Sequence, residues 1–381
     1  MNYPYHVLHL KGNYGRAGGP ETLLGSILRN LDRARVIPTL VLLRQPGRDG
    51  APILRDHADQ QEILWHGIVS TLRVARQLSR VCSERNAHLL HAHDMRANLI
   101  SYSLTRRHRI PWIAHVHGWL GVTHAWRWRV YEAIEKKLLR YADVVLVGSH
   151  AAKEEVQTLG VKAVKVVPNA IEIPALSPLR ENAVRVRAQL CLPPSTLIVG
   201  MAGRIHPGKG QSLLIRALAD LMNTKDVKFH GLIVGEGPDL ERLQRLAQDL
   251  GIRDHITFTG YCPEVLPFVG AMDIVAAPSL KESLPLTVLE AMALHRPVIA
   301  SRVGDLPVVI TPGENGLLVP PSDVPALRDA IVSLAGNPEL RHRLGMKAHD
   351  HIRQNFSAAG MTRTLESIYA ELLACRSLTL V

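Results

Sequence analysis

The stretch GRIHPGKGQS, residues 203–212, sets Gly203, four residues, Gly208 and Lys209 in the order of a triphosphate-binding loop. It then places Gly210 where such a loop needs a serine or threonine hydroxyl to hold magnesium. No aspartate makes good the loss: Asp143 in ADVVLV and Asp273 in MDIVAAP precede their apolar runs, at the wrong end of a parallel sheet for a metal site. A narrower chemistry survives. Glycines let backbone N–H groups approach an anion, the helix that follows offers its positive end, and Arg204 and Lys209 add fixed charge, a combination suited to a diphosphate. Taken alone, the loop also reads as a basic turn between a strand and a helix.

A second constellation lies in SLKESLPLTVLEAMALHRPVIAS, which carries Glu282 and Glu290. Pro285 and Thr287 predict a helix start, leaving Glu282 in the loop after DIVAAP and Glu290 about one turn into the helix. Val288, Leu289, Ala291, Met292 and Ala293 surround Glu290, and an ionised carboxylate among such neighbours is costly unless a dedicated donor meets it. Ligand hydroxyls are one such donor; solvent or Arg296 is another. The helix opening offers free N–H groups to the same anion that Arg204 and Lys209 would hold.

Positioning these groups requires sheets with loops at their carboxyl ends. Strand-length apolar runs alternate with segments of helical period, from YHVLHL and ETLLGSILRNL through ADVVLVGS, TLIVGMAG, QSLLIRALADLM, HGLIVGEG and DIVAAP to PVIAS, the pattern of parallel sheets covered by helices. Proline-rich VVPNAIEIPALSPLRENA breaks the alternation near residue 172, and it resumes at Thr196. Two doubly wound domains joined by a linker follow. Each begins alike, with strand, glycine-rich loop and helix: YHVLHLKGNYGRAGGPETLLGSIL and TLIVGMAGRIHPGKGQSLLIRAL. Ligands of open parallel sheets bind beyond the carboxyl ends of the strands, where both glycine loops fall.

The 381 residues, 46% hydrophobic and 21% charged, describe a globular chain with neither an apolar run of spanning length nor a signal-peptide pattern, and a cytoplasmic location is expected. Cys82, Cys191, Cys262 and Cys375 are too scattered for a zinc or disulfide framework. The net charge of +11 is concentrated: residues 1–150 hold 21 Lys and Arg against 11 Asp and Glu. All five tryptophans, Trp65, Trp112, Trp119, Trp126 and Trp128, share that half, and the last four alternate with Arg127, Arg129, Lys136, Lys137 and Arg140 in a pattern suited to an anionic membrane surface. Core tryptophans beside solvated arginines are the plainer reading. The aromatics form no single-strand platform, so nucleic acid is not expected. His91, His93 and Asp94 in HAHD lie close together, but their strand-end spacing does not require them to converge, and no metal is expected there.

GGPE at 18–21, HVHG at 115–118, GRIHPGKG at 203–210, VGEGP at 234–238, ESLPLTVLEAMA at 282–293 and NGLLVPPSD at 315–323 occur in order, and the set resembles the family 4 retaining glycosyltransferases over nearly the whole chain. The resemblance implies a glycosyltransferase B fold: two doubly wound Rossmann-like α/β domains facing a central cleft. It sets an acceptor domain at 1–172, a linker at 173–195, a nucleotide-sugar domain at 196–357 and a C-terminal helix at 358–381 that packs back onto the first domain. It further implies that Arg204 and Lys209 clamp the diphosphate, that Glu282 with Leu286 and Thr287 meets the sugar and the anion, and that Glu290 accepts from the ribose. Gly18 and Gly19 would approach the diphosphate from across the cleft, and His117 would sit beside the transferred sugar, His115 being the weaker candidate. The sequence departs from the family pattern in reading ESLP where a glycine–aromatic pair is frequent, and HG where the histidine is often followed by aspartate. The implied reaction is metal-independent, cofactor-free and retaining, moving a sugar from a nucleotide-diphosphate sugar to a glycan or lipid-linked acceptor at a membrane face, as in cell-surface polysaccharide, lipopolysaccharide or glycolipid synthesis. A sugar-nucleotide epimerase or phosphorylase of the same fold, and a nucleotide-binding regulator or triphosphatase, are the competing readings.

Overall fold

The computed structural model describes residues 4–12, 18–44, 59–64, 71–117, 126–193, 195–222 and 228–379. They form two compact units, Met1–Ala170 with Ala358–Val381, and Ile171–Ser357.

In the first unit the chain runs β1 (Tyr5–Gly12), α1 (Gly19–Asn30), β2 (Val36–Arg44), β3 (Asp59–Leu64), α2 (Thr71–Glu84), β4 (Leu89–Ala92), α3 (Met95–His108), β5 (Trp112–Val116), α4 (Trp126–Leu138), β6 (Val144–Val147), α5 (His150–Thr158) and β7 (Val164–Val166). The strands pair in the order β3-β2-β1-β4-β5-β6-β7, all parallel. Both faces are covered, which is why the strands read as apolar runs rather than as alternating ones. One face meets α2 and α3 through Leu8, Leu10, Leu90 and Ala114; the other buries Val7, Leu89, Ile113 and Leu146.

In the second unit α6 (Leu176–Gln189) precedes β8 (Leu197–Ala202), α7 (Gln211–Met222), β9 (Phe229–Val234), α8 (Leu240–Asp249), β10 (Ile256–Phe258), α9 (Leu266–Ala271), β11 (Ile274–Ala277), α10 (Leu286–Ala293), β12 (Val298–Ser301), α11 (Leu306–Val309), β13 (Leu317–Val319), α12 (Val324–Ala335) and α13 (Pro338–Asn355). Its sheet, β10-β9-β8-β11-β12-β13, is also parallel. In both sheets the order reverses beside the first strand, between β1 and β4 and between β8 and β11. At such a switch point the loops leave in opposite directions and open a crevice beyond the strand ends.

The segment 173–195 is not a bare linker. Helix formers between its prolines build α6, which buries Ala183 and Val186 against Ala271 of α9, while Arg187 donates to the Ala271 carbonyl (2.7 Å) and pairs with Asp273 (3.1 Å). The last helix, α14 (Ala358–Thr379), belongs to the first unit, where Met361, Leu365, Ile368, Tyr369 and Leu373 pack with Val7, Leu89, Ile113 and Leu146. Each such side chain, fully buried, stabilises by about 1.5–3 kcal/mol, enough to hold the helix although it is distant in sequence from its sheet. Among the described residues no helix is long and apolar enough to cross a membrane.

Candidate active site

The loop after β8 is held by its own residues. His206 Nδ1 accepts from the Gly208 amide (3.2 Å), Pro207–Lys209 form one 3₁₀ turn, and Gly210 follows in the left-handed region at φ 74°. A β-carbon on Gly210 would lie 2.0 Å from the Pro278 carbonyl oxygen at the end of β11. The glycine that looked like a defect in a phosphate loop is thus required twice, by backbone conformation and by close approach of the neighbouring strand end. Leu280 N donates to Gly208 O (2.8 Å), tying the two loops at the switch point. Burial, then the charges of Arg204 and Lys209, lower the pKa of His206 and keep it neutral, with Nδ1 free to accept.

These ties bring together two groups far apart in sequence. The Lys209 ammonium makes a close ion pair with Glu282, whose Oε1 also accepts from Ser279 Oγ (3.0 Å). A pocket lined by Lys209, Ser279, Glu282 and Thr287 opens over the carboxyl ends of β8 and β11. Arg204 is exposed, and its guanidinium bonds to no described residue. The Glu282 loop is backed by Gly304 at φ 54°, where a β-carbon would fall 2.1 Å from the Glu282 carbonyl oxygen. Ser279 and His206 went unassigned in the sequence, although both stand inside the two quoted stretches.

Helix α10 starts after Pro285 with no side-chain cap. Val288 N is taken by the Pro285 carbonyl (3.2 Å), leaving the Leu286 and Thr287 amides at the helix opening. Glu290 is half-buried, and its carboxylate bonds to no described residue. Arg296, the protein partner available in sequence, instead donates to the Met272 carbonyl (3.2 Å). Burial pushes the Glu290 carboxyl up to about 7.

In the first unit, Gly18 caps α1 and Gly19 opens it. The Gly18 amide donates to Glu21 Oε2 (2.9 Å) within the cap of the helix. Glu21 Oε1 in turn pairs with Lys11 (3.1 Å), a lysine only 3% exposed that also faces Asp94 (3.5 Å). A lone lysine ending an apolar strand and a glutamate three residues after a helix cap were the available signals, and neither was read. Asp94 does not join a metal set with His91 and His93; it caps α3, accepting from Arg96 N (2.9 Å) and Ala97 N (3.1 Å). His117 directly follows β5 with Nε2 unpartnered among the described residues; burial first, then His115 and Lys11, holds it well below the usual imidazole range. Arg204, Lys209, Glu282, Leu286, Thr287 and Glu290 therefore gather beside one switch point, whereas Gly18, Gly19 and His117 stand at the carboxyl end of the other sheet.

The aromatic pattern read as interfacial is corrected at Trp112, which is fully buried in β5 and cannot reach a headgroup. Trp65 and Trp119 lie outside the described residues, as do the side chains of Trp126 and Trp128.

Residues 17–173 match the profile of Glycosyltransferase Family 4, and residues 185–351 that of Glycosyl transferases group 1. The chain is similar to the D-inositol 3-phosphate glycosyltransferase of Corynebacterium glutamicum, 32% identical over 307 residues that cover 75% of this chain and 72% of the relative. Among solved structures it is similar to Anabaena HepE in complex with UDP and glucose, with TM-score 0.81 and 22% identity, covering 96% of this chain and 99% of that one. It is also similar to sucrose-phosphate synthase from Thermosynechococcus elongatus, with TM-score 0.81 and 22% identity over 97% and 100% of the two chains. The fold is the two-domain glycosyltransferase B fold.

Proposed function

We propose, from the premise that the chain belongs to glycosyltransferase family 4, that it moves a sugar from a nucleotide-diphosphate sugar to a hydroxyl of an anionic acceptor, with retention and without a catalytic metal. The observation that carries the donor reading is Glu290: a half-buried carboxylate with no described partner, one turn inside a helix whose Thr287 and Val288 line the Lys209–Glu282 pocket. Ribose hydroxyls are donors of the kind it lacks. The solved relative HepE is described with UDP and glucose, which supports a nucleotide-sugar ligand for this site.

As the glycosidic bond breaks, negative charge grows on the departing phosphate. Arg204, Lys209 and the Leu286 and Thr287 amides meet that charge, and each well-placed donor contributes about 2.7–4 kcal/mol to the transition state. Lys209 begins in an ion pair with Glu282, so the anion takes over a cation already aimed into the pocket. That leaves Glu282, steadied by Ser279, to accept from the sugar hydroxyls. The family resemblance assigns Gly18 and Gly19 to the diphosphate. The family resemblance assigns the neutral His117 to the transferred sugar, and the leaving phosphate takes the acceptor proton on the face it departs from. Retention then follows without a protein nucleophile.

The excess of Lys and Arg in the first 150 residues supports an acceptor that carries phosphate. The name of the C. glutamicum relative favours a phosphorylated polyol over the glycan or lipid-linked acceptor read from the sequence. The test is donor hydrolysis across a panel of UDP-, GDP- and ADP-sugars, followed by transfer to inositol phosphates and to lipid-linked diphosphates, with the product anomer read by NMR. One donor consumed and an α-linked product from an α-donor support the proposal. An inverted product, or a sugar epimerised without transfer, overturns it.

A further inference from the structure

One face of the first sheet changes character along its strands. At the amino ends it presents Val7, Leu89 and Ile113. Two and four residues on, the same face carries His9 and Lys11 on β1, His91 and His93 along and just past β4, and His115 and His117 along and just past β5. The five imidazoles pack ring on ring, His115 and His117 at 4.3 Å between centroids, His93 at 5.5 Å from His115 and 5.9 Å from His117. His9 Nε2, His91 Nε2, His93 Nδ1, both His115 nitrogens and His117 Nε2 are buried without a hydrogen-bond partner among the described residues. A single buried polar atom left unpaired costs about 1–3 kcal/mol, so six in one cluster call for a ligand.

We infer that His93, His115 and His117 form a binding site for a divalent transition metal of the zinc class. One nitrogen from each lies within 4.8 Å of the other two. A tetrahedral ion with Zn–N bonds of about 2.1 Å wants its nitrogens about 3.4 Å apart, within reach of small ring rotations. A second set, His9, His91 and His93, satisfies the same spacing, but ring nitrogens of His9 and His91 already have partners. His9 Nδ1 pairs with His93 Nε2 (3.0 Å), and His91 Nδ1 pairs with the hydroxyl of Tyr369 on α14 (2.7 Å). The first of these pairs fixes the orientation of the ligating His93 imidazole. Of the five histidines only His117 is not fully buried, so the chosen set lies nearer the surface than the second.

The ion has no part in stabilising the leaving group. It takes the His117 nitrogen that the proposed reaction directs at the sugar, so Zn²⁺ inhibits transfer; this clause alone rests on the proposed function. The experiment strips the full chain with a chelator and titrates Zn²⁺ and Co²⁺, reading bound metal by mass spectrometry and the Co²⁺ d–d bands. About one ion per chain is expected, with an intense tetrahedral Co²⁺ spectrum. His115→Gln should weaken binding by at least about 100-fold and His91→Gln by far less, since the His91 imidazole bonds to Tyr369 and to none of the three ligands. If His115→Gln does not fold, His117→Gln carries the same expectation. No stoichiometric metal in the wild type, undiminished binding in both ligand variants, or a greater loss in His91→Gln overturns the site. Metal that binds as expected but leaves transfer unaffected refutes the His117 role and not the metal site.

Discussion

Replacing Glu290 by glutamine isolates the group on which the donor reading rests. In the free protein the carboxyl titrates near 7, raised from its ordinary 4.5 by burial. Two ribose hydroxyls that donate to the ionised form would pull the bound-state value back down. Binding then requires a proton to leave whenever the pH lies between the two values. If the ligand restored the ordinary value in full, the difference would be about 2.5 units, or roughly 3 kcal/mol at the acid limit. In a working range this means that nucleotide binds about tenfold more weakly at pH 6 than at pH 8. Titration calorimetry with whichever of UDP, GDP and ADP binds tightest gives the profile. The diphosphate's own titration is common to wild type and Glu290→Gln and cancels in their difference. The variant should bind more weakly at pH 8 and lose the extra slope. Equal slopes in the two proteins, or tighter binding by wild type at low pH, would refute the ribose assignment. The ligand-free protein gives an independent check on the sign. Its folded state holds the proton more tightly than the unfolded chain, so stability falls as pH rises from about 4.5 through 7, and Glu290→Gln removes that part of the fall.

Lys209→Ala should lower turnover by about 10²–10³-fold, the cost of one oxyanion donor, while also leaving Glu282 with only Ser279; transfer within a few fold of wild type would remove Lys209 from the leaving-group role. Gly210→Ala combines a left-handed backbone with a β-carbon 2.0 Å from a carbonyl oxygen, and should cost more than about 2 kcal/mol in urea denaturation; an unchanged midpoint would show that the β8 and β11 loops are not held together as described.

Much of the fold is local information. Apolar runs of strand length with helical segments between them demand covered parallel strands, because crossovers bury both faces, and glycine-rich turns mark strand ends wherever they occur. The discomfort of Glu290 was legible too, since its neighbours along the helix are apolar whatever the rest of the chain does. Trp112 was not: its alternation with charged residues matches an interfacial pattern, and only the strand's place within the sheet buries it.

Strand order governed the rest. Lys209 and Glu282 are 73 positions apart and meet because β8 and β11 are neighbours at the point where the winding reverses. Lys11 and Asp94 are 83 positions apart and meet because β1 and β4 pair side by side. His91 and His93, whose spacing did not require convergence, join His9, His115 and His117 because β1, β4 and β5 lie side by side in register. A two-residue period determines which face a side chain takes and is read along one strand. Which strands become neighbours depends on how the helices and crossovers pack, and no single stretch of sequence contains that.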